Sequence, residues 1–122
     1  MVRGPMPTSS VQEDERYLIL KNNKNIKCLV RQLVFRARIN EVDVFRYTAD
    51  FGYLENGIKV IEEFKGYIHE RHDFELRMKI CSALNPELTF RIVLGKKHKL
   101  YKTFIAGKLV RTPREKKPSK LS

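Results

Sequence analysis

Asp50 and Glu63 stand on either side of the dipeptide Asn56-Gly57, and Lys65 follows Glu63 by two residues. The flanking segments, residues 44–54 and 58–65, are strand-like. Asn-Gly between alternating hydrophobic runs predicts a type I′ hairpin, because both central residues must take φ > 0. A two-residue turn at this point pairs Glu55 with Ile58, Tyr53 with Val60 and Asp50 with Glu63. Counted outward from the hydrogen-bonded closing pair, Asp50 and Glu63 form a non-hydrogen-bonded pair. Their side chains then share a face, with Cα atoms about 4.5 Å apart. Alternation puts Lys65 on that face as well. The opposite face, with Ala49, Phe51, Tyr53, Ile58, Val60 and Phe64, is expected to be core. A bulge would shift this register and make Glu62 compete with Glu63.

Two directly opposed carboxylates repel. A cation relieves the repulsion, and Mg²⁺ suits the arrangement: it is a hard ion held by one or two carboxylates, waters and a substrate phosphate. The other reading is a purely structural cluster in which Lys65 alone offsets the charge.

The surrounding elements must position this hairpin. Ser10-Val11-Gln12-Glu13 fits a capping box opening a helix that runs to about Lys21, after a flexible N-terminus at residues 1–9. Tyr17 and Leu20 form its apolar stripe, with Val11 and Leu18 beside it. Residues 22–25 break the helix, and residues 26–32 fit either a helical turn or an extended segment. Residues 33–39 alternate as a strand. Residues 74–84 predict a helix with Phe74, Met78 and Cys81 on one face, widened by Leu76, Ile80 and Ala83, and Asn85-Pro86 ends it. Residues 88–94 predict another strand, and residues 101–110 one more short strand. The order helix, strand, hairpin, helix, strand implies an α/β or α+β domain at residues 10–110: a central mixed β-sheet flanked by helices.

Composition narrows the partners. The chain has 122 residues and a net charge of +11, with 42% hydrophobic residues. From Gly95 onward ten Lys and Arg residues face the single acid Glu115, so this segment carries +9 of that charge. It includes Lys96, Lys97 and Lys99 and a Pro-containing tail at residues 111–122, expected to be disordered. A basic arm beside a near-neutral body points to a polyanion, most simply nucleic acid; a solubilising tail is the plainer alternative. No apolar run approaches the ~20 residues that span a bilayer, and residues 1–10 lack a hydrophobic signal region. The expectation is a cytoplasmic chain with no membrane partner. Cys28 and Cys81 form no CxxC pattern and are expected to be two buried thiols, with a disulfide between them the alternative. The histidines have no cysteine partners at ligand spacing for a structural zinc site.

Asp50 followed by Glu63-Phe64-Lys65 resembles the bipartite signature of the PD-(D/E)XK nuclease superfamily, although Thr48-Ala49 leave the motif proline absent. A closer resemblance is to small phage-encoded proteins of that superfamily, endonucleases and Holliday junction resolvase-like proteins. Ser10, Glu13, Arg16, Tyr17 and Leu20 match its Ser-x-x-Glu…Arg-Tyr…Leu helix. Ile26, Leu29, Gln32 and Phe35 match its I-x-x-L-x-x-Q-P-x-F, with Leu33 in place of the proline. Tyr47, Ala49, Asp50, Phe51 and Tyr53 match Tyr-x-Ala-Asp-Phe-x-Tyr. Glu63, Lys65 and Gly66 match Glu-x-Lys-Gly, and Phe74, Leu76, Arg77 and Lys79 match the later Phe-x-Leu-Lys/Arg-x-Lys. The resemblance covers roughly residues 10–90.

The resemblance implies a restriction-endonuclease-like core, with the hairpin carrying the active site of a metal-dependent endodeoxyribonuclease directed at branched or junction DNA. Asp50, Glu63 and the Phe64 carbonyl would ligate Mg²⁺, or Mn²⁺ in its place, and Lys65 would position the attacking water. Glu13 is either an auxiliary catalytic carboxylate or only the N3 residue of the capping box. Gln32 either approaches the site and its nucleic acid or bonds backbone. Arg77 and Lys79 either contact phosphates or, for Lys79, pair with Glu75 at i,i+4. His69 and His72 fall in the loop after the motif, as catalytic or merely solvated histidines. Tyr67 either stacks on a base or packs on the sheet. Related resolving nucleases pair two sites across a two-fold axis, so a homodimer is expected, through Tyr17, Leu18, Ile19 and Leu20. The competing class is a non-catalytic basic nucleic-acid-binding or phage host-interaction protein that retains the fold.

Overall fold

Asn56 and Gly57 sit at φ 52° and 85°, the left-handed values a type I′ turn requires. The residues beside them pair from Glu55↔Ile58 through Tyr53↔Val60 to Phe51↔Glu62, which is the expected register. A computed structural model describes residues 8–66, 73–95 and 97–110. It contains helix α1 (Thr8–Lys21), strands β1 (Ile26–Ile39), β2 (Val42–Glu55) and β3 (Ile58–Lys65), helix α2 (Asp73–Leu84), and strands β4 (Thr89–Leu94), β5 (Lys99–Ile105) and β6 (Lys108–Leu109). The strands form one six-stranded sheet in the order β1-β2-β3-β4-β5-β6. β3 and β4 are parallel and every other neighbouring pair is antiparallel. A parallel pair needs a crossover rather than a tight turn, and the segment containing α2 provides it. The architecture is mixed α+β.

The two helices pack on opposite faces. Leu20 of α1 and its neighbour Tyr17 join Phe51, Tyr53, Val60, Phe64 and Val93. Met78 and Cys81 of α2 join Tyr47, Ala49, Ile61, Phe90, Ile92 and Phe104. Consecutive β3 residues alternate between these clusters, as a doubly covered strand must. Asn85 caps α2 by donating from Nδ2 to the Cys81 carbonyl at 2.9 Å, and Pro86 follows.

β1 and β2 do not keep one alternation throughout. Phe51 and Tyr53 belong to the α1 cluster, whereas Ala49 and Tyr47 belong to the α2 cluster. All four would share a face on a regular strand, so β2 changes face at Asp50. β1 does the same between Leu29 and Leu33, across Gln32, whose φ is 55°. The single core face expected for the hairpin is therefore corrected: Ala49 packs on the other side, and Ile58 is largely exposed at the hairpin end.

Other boundaries also differ. α1 begins at Thr8, so Ser10 lies inside it and residues 8–9 belong to the helix. Three consecutive cap-type residues, Thr8-Ser9-Ser10, leave the start ambiguous from sequence. Residues 26–32 are extended. The C-terminal segment makes two strands rather than one, turning at Ala106-Gly107 with φ 54° and 79°. Gly107 is needed there, since a Cβ would lie 2.8 Å from the Ala83 Cβ. Leu76 and Ala83 are exposed and do not widen the buried face of α2. Cys81 is buried, but Cys28 is exposed and both are free. No helix among the described residues is long and apolar enough to cross a membrane. The basic tail at residues 111–122, Tyr67, His69, His72 and Lys96 lie outside the described residues.

Candidate active site

Asp50 occupies the point where β2 and β3 separate. Continuing the register, Phe64 would exchange backbone hydrogen bonds with Ala49, but the paired ladder ends at Phe51↔Glu62. The Phe64 N–H donates instead to Asp50 Oδ2 at 2.8 Å. The N–H and C=O of one strand residue point toward the same neighbouring strand. The Phe64 carbonyl is thus aimed into the same gap as the Asp50 carboxylate.

Glu63 enters from β3 and is only 5% exposed. Tyr47 donates from its hydroxyl to Glu63 Oε1 at 2.7 Å, and Lys65 Nζ lies 3.1 Å from Glu63 Oε2. Lys65 Nζ also sits 4.6 Å from the centre of the Phe74 ring at the start of α2, a cation–π contact that fixes the ammonium. Glu62 is on the other face and does not compete. It is fully buried, accepts hydrogen bonds from Arg16 Nε at 2.6 Å and Nη2 at 2.9 Å, and takes the Tyr53 hydroxyl. This bidentate ion pair ties α1 to β3.

Glu13 is not a capping residue, because the helix starts earlier. It accepts a hydrogen bond from Gln32 Nε2 at 3.1 Å, and Arg31, which bonds Asp14 at 2.9 Å, lies 3.8 Å from it. Gln32 therefore uses its side chain on Glu13 rather than on backbone. Gln12, one residue before Glu13, fills the space a Cβ would need at Gly66, which brings this turn of α1 against the strand end carrying Lys65.

The electrostatics are those of crowded acids. Burial and then the Glu63 charge push the Asp50 carboxyl up to about 8, with Glu13 adding to the effect and the Phe64 N–H opposing it. Burial raises Glu63 as well, with Glu13 contributing, against the lowering influence of Lys65 and the Tyr47 hydroxyl. The Tyr47 hydroxyl is itself held far above its ordinary range by burial and the Glu63 charge. Glu13, Asp50 and Glu63 thus share one field, with Lys65 the nearest cation to Glu63 among the described residues.

The remaining expected contacts are more distant. Arg77 and Lys79 lie on the exposed side of α2, and no contact joins them to Asp50 or Glu63. Glu75 pairs with Lys102 of β5 at 2.6 Å, not with Lys79. Lys97 and Lys99 are exposed at the β4–β5 turn. Beside that turn, His98 stacks on Phe64 with ring centroids 5.3 Å apart. Sequence alone assigns Tyr47 no role at the site. Strict alternation puts it opposite Asp50's face, and only the change of face at Asp50 carries it to Glu63.

Among the described residues, no three His, Cys, Asp or Glu side chains form a group able to hold a metal ion. Mg²⁺ does not require such a cage, since waters and substrate oxygens complete its shell. The donor set of Asp50, Glu63 and the Phe64 carbonyl consists of hard oxygens, the ligand type a hard divalent cation takes, and burial is the largest cause of the rise in both carboxyls.

No protein-family model, curated protein sequence or solved structure matches the chain.

Proposed function

We propose that the protein is a Mg²⁺-dependent endonuclease that hydrolyses DNA phosphodiester bonds, branched and junction DNA among its substrates. One observation carries this reading: Asp50 and Glu63, both raised by burial and Asp50 further by the Glu63 charge, lie where β2 and β3 part, with Lys65 against Glu63. A hairpin bearing these residues between two helices is also the arrangement that the resemblance to PD-(D/E)XK nucleases implies.

Asp50, Glu63 and the Phe64 carbonyl would hold the ion, which supplies charge neutralisation at the phosphate and makes water more acidic. The chain's own residues do the positioning. The Phe64 N–H holds one Asp50 oxygen, and the Tyr47 hydroxyl holds one Glu63 oxygen, so both carboxylates are pre-oriented. Lys65 is half-buried, its ammonium held over the Phe74 ring and beside Glu63. That ammonium donates to a phosphoryl oxygen and orients the attacking water. Glu13 adds negative potential and keeps Gln32 at the rim.

The test is cleavage of supercoiled plasmid and four-way junction DNA with Mg²⁺ or Mn²⁺. Asp50→Asn, Glu63→Gln and Lys65→Ala should each lower the rate at least ~100-fold, and double variants should be little worse than single ones, because such a unit is non-additive. Undiminished cleavage by Lys65→Ala refutes the assignment. A second reading, a non-catalytic nucleic-acid-binding or phage host-interaction protein, draws on the internal satisfaction of the cluster by Tyr47, Lys65 and Phe64. It predicts no cleavage by the wild type with either ion.

A further inference from the structure

β1 and β2 extend as a two-stranded ribbon past the hairpin. β3 pairs with β2 only over Phe51–Glu55, whereas β1 pairs with β2 as far as Ile39↔Val42. One face of the ribbon, with Leu33, Phe35, Phe45, Tyr47 and Ala49, packs into the α2 cluster. The other carries Val34↔Thr48 and Arg36↔Arg46. α1 reaches this side at Gln32 through Glu13, and nothing among the described residues covers what lies beyond. Val34 is 52% exposed, and Thr48, Arg36 and Arg46 are exposed.

Arg36 and Arg46 are directly opposed, with Cα atoms about 4.5–5.5 Å apart. Like charges in that position destabilise a sheet. The neighbouring arginines are neutralised: Arg31 by Asp14 and Glu13, and Arg38 by Asp43 at 3.1 Å. Neither Arg36 nor Arg46 has an acidic partner among the described residues. Two uncompensated guanidiniums on a flat, solvated face suit successive phosphates, which arginine binds bidentately. Arg36 is four residues from Gln32, and Arg46 four from Asp50. At about 3.3 Å per residue, the pair stands roughly 13 Å from the candidate active site along the ribbon.

We propose that this outer face of the β1–β2 ribbon, centred on the Arg36–Arg46 pair, docks the phosphate backbone of the nucleic acid that enters the Asp50–Glu63–Lys65 site. The proposal rests on the nuclease reading for its ligand class, and its test separates the two. Fluorescence anisotropy with a labelled four-way junction and a labelled duplex, in Ca²⁺ to suppress cleavage, gives affinity against salt for the full chain. Arg36→Gln/Arg46→Gln should flatten the slope of log K against log salt by about 1.8, at ~0.9 per phosphate neutralised. The drop in affinity between 50 and 200 mM salt should then shrink by about tenfold. Arg36→Lys/Arg46→Lys should restore most of the slope. The free Gln variant should melt no lower than wild type, because a repulsive pair has been removed. An unchanged slope in the Gln variant overturns the docking surface, and if Mg²⁺-dependent cleavage persists the nuclease reading survives. An arginine-dependent slope in a protein that never cleaves retains the surface and refutes the nuclease. Absence of binding to either DNA by the wild type overturns both.

Discussion

Replacing Asp50 by Asn should stabilise the metal-free protein, by an amount that grows with pH. The carboxyl is raised from an ordinary 3.8 to about 8 by burial and by Glu63. Between those two pH values the folded chain retains a proton that the unfolded chain has released. Stability from this group is therefore complete below pH ~4, falls as pH rises through the window, and is fully lost above ~8. At about 1.4 kcal/mol per pH unit, the whole window corresponds to roughly 6 kcal/mol. Asn occupies nearly the same volume, can still accept the Phe64 N–H, and removes the charge facing Glu63. Urea denaturation in EDTA should thus show near-equal stabilities at pH 4 and an advantage of about 4–6 kcal/mol for the variant at pH 9. Mg²⁺ should narrow the gap by stabilising the wild type, by about 2.7 kcal/mol at a hundredfold excess over its Kd. A variant less stable than wild type at pH 9, or a gap that does not widen with pH, would refute the electrostatic account.

Other outcomes follow from the packing and the charge distribution. Arg16→Met should cost about 3–5 kcal/mol, because Glu62 keeps a buried charge without its cation; Arg16→Met/Glu62→Leu should recover most of this, and a single-variant loss under about 1 kcal/mol in urea denaturation would contradict it. Deleting residues 111–122 removes Arg111, Arg114, Lys116, Lys117 and Lys120. The truncated chain should bind DNA with a flatter salt dependence, by ~0.9 for each phosphate no longer neutralised, while still cleaving at low salt; an unaltered slope would make the tail a spectator. A homodimer of the kind the resemblance implies would have to use the exposed Leu18 and Ile19, since Leu20 is buried and Tyr17 stacks on Phe51. Light scattering at micromolar concentration should show a dimer that Leu18→Glu/Ile19→Glu converts to monomer, and a monomeric wild type would exclude it.

Local chemistry made part of this protein legible in its chain. Asn56-Gly57 dictates a left-handed turn whatever surrounds it, so the hairpin register followed from counting, and that register puts Asp50 next to Glu63. Asn85-Pro86 likewise ended α2 where expected, because proline cannot continue a helix. The tertiary structure decided everything that depends on which face a residue meets. Strict alternation assigns Ala49 and Tyr47 to the face opposite Asp50, and a left-handed Gln32, unmarked by glycine, reverses that on β1 as Asp50 does on β2. Glu13 fits a capping box as well as it fits a site carboxylate, and only the start of α1 at Thr8 separates the two. Glu62 and Glu63 are adjacent acids of equal local merit; Arg16, far away in the chain, takes one into a buried ion pair and leaves the other to Lys65. The opposition of Arg36 and Arg46 requires both a second hairpin turning at Asn40-Glu41, where φ is 53° and 66°, and a one-residue register shift between Ala37 and Arg38. Turn propensity is a short-range property that sequence displays, whereas facing and pairing are set by the packing of distant segments.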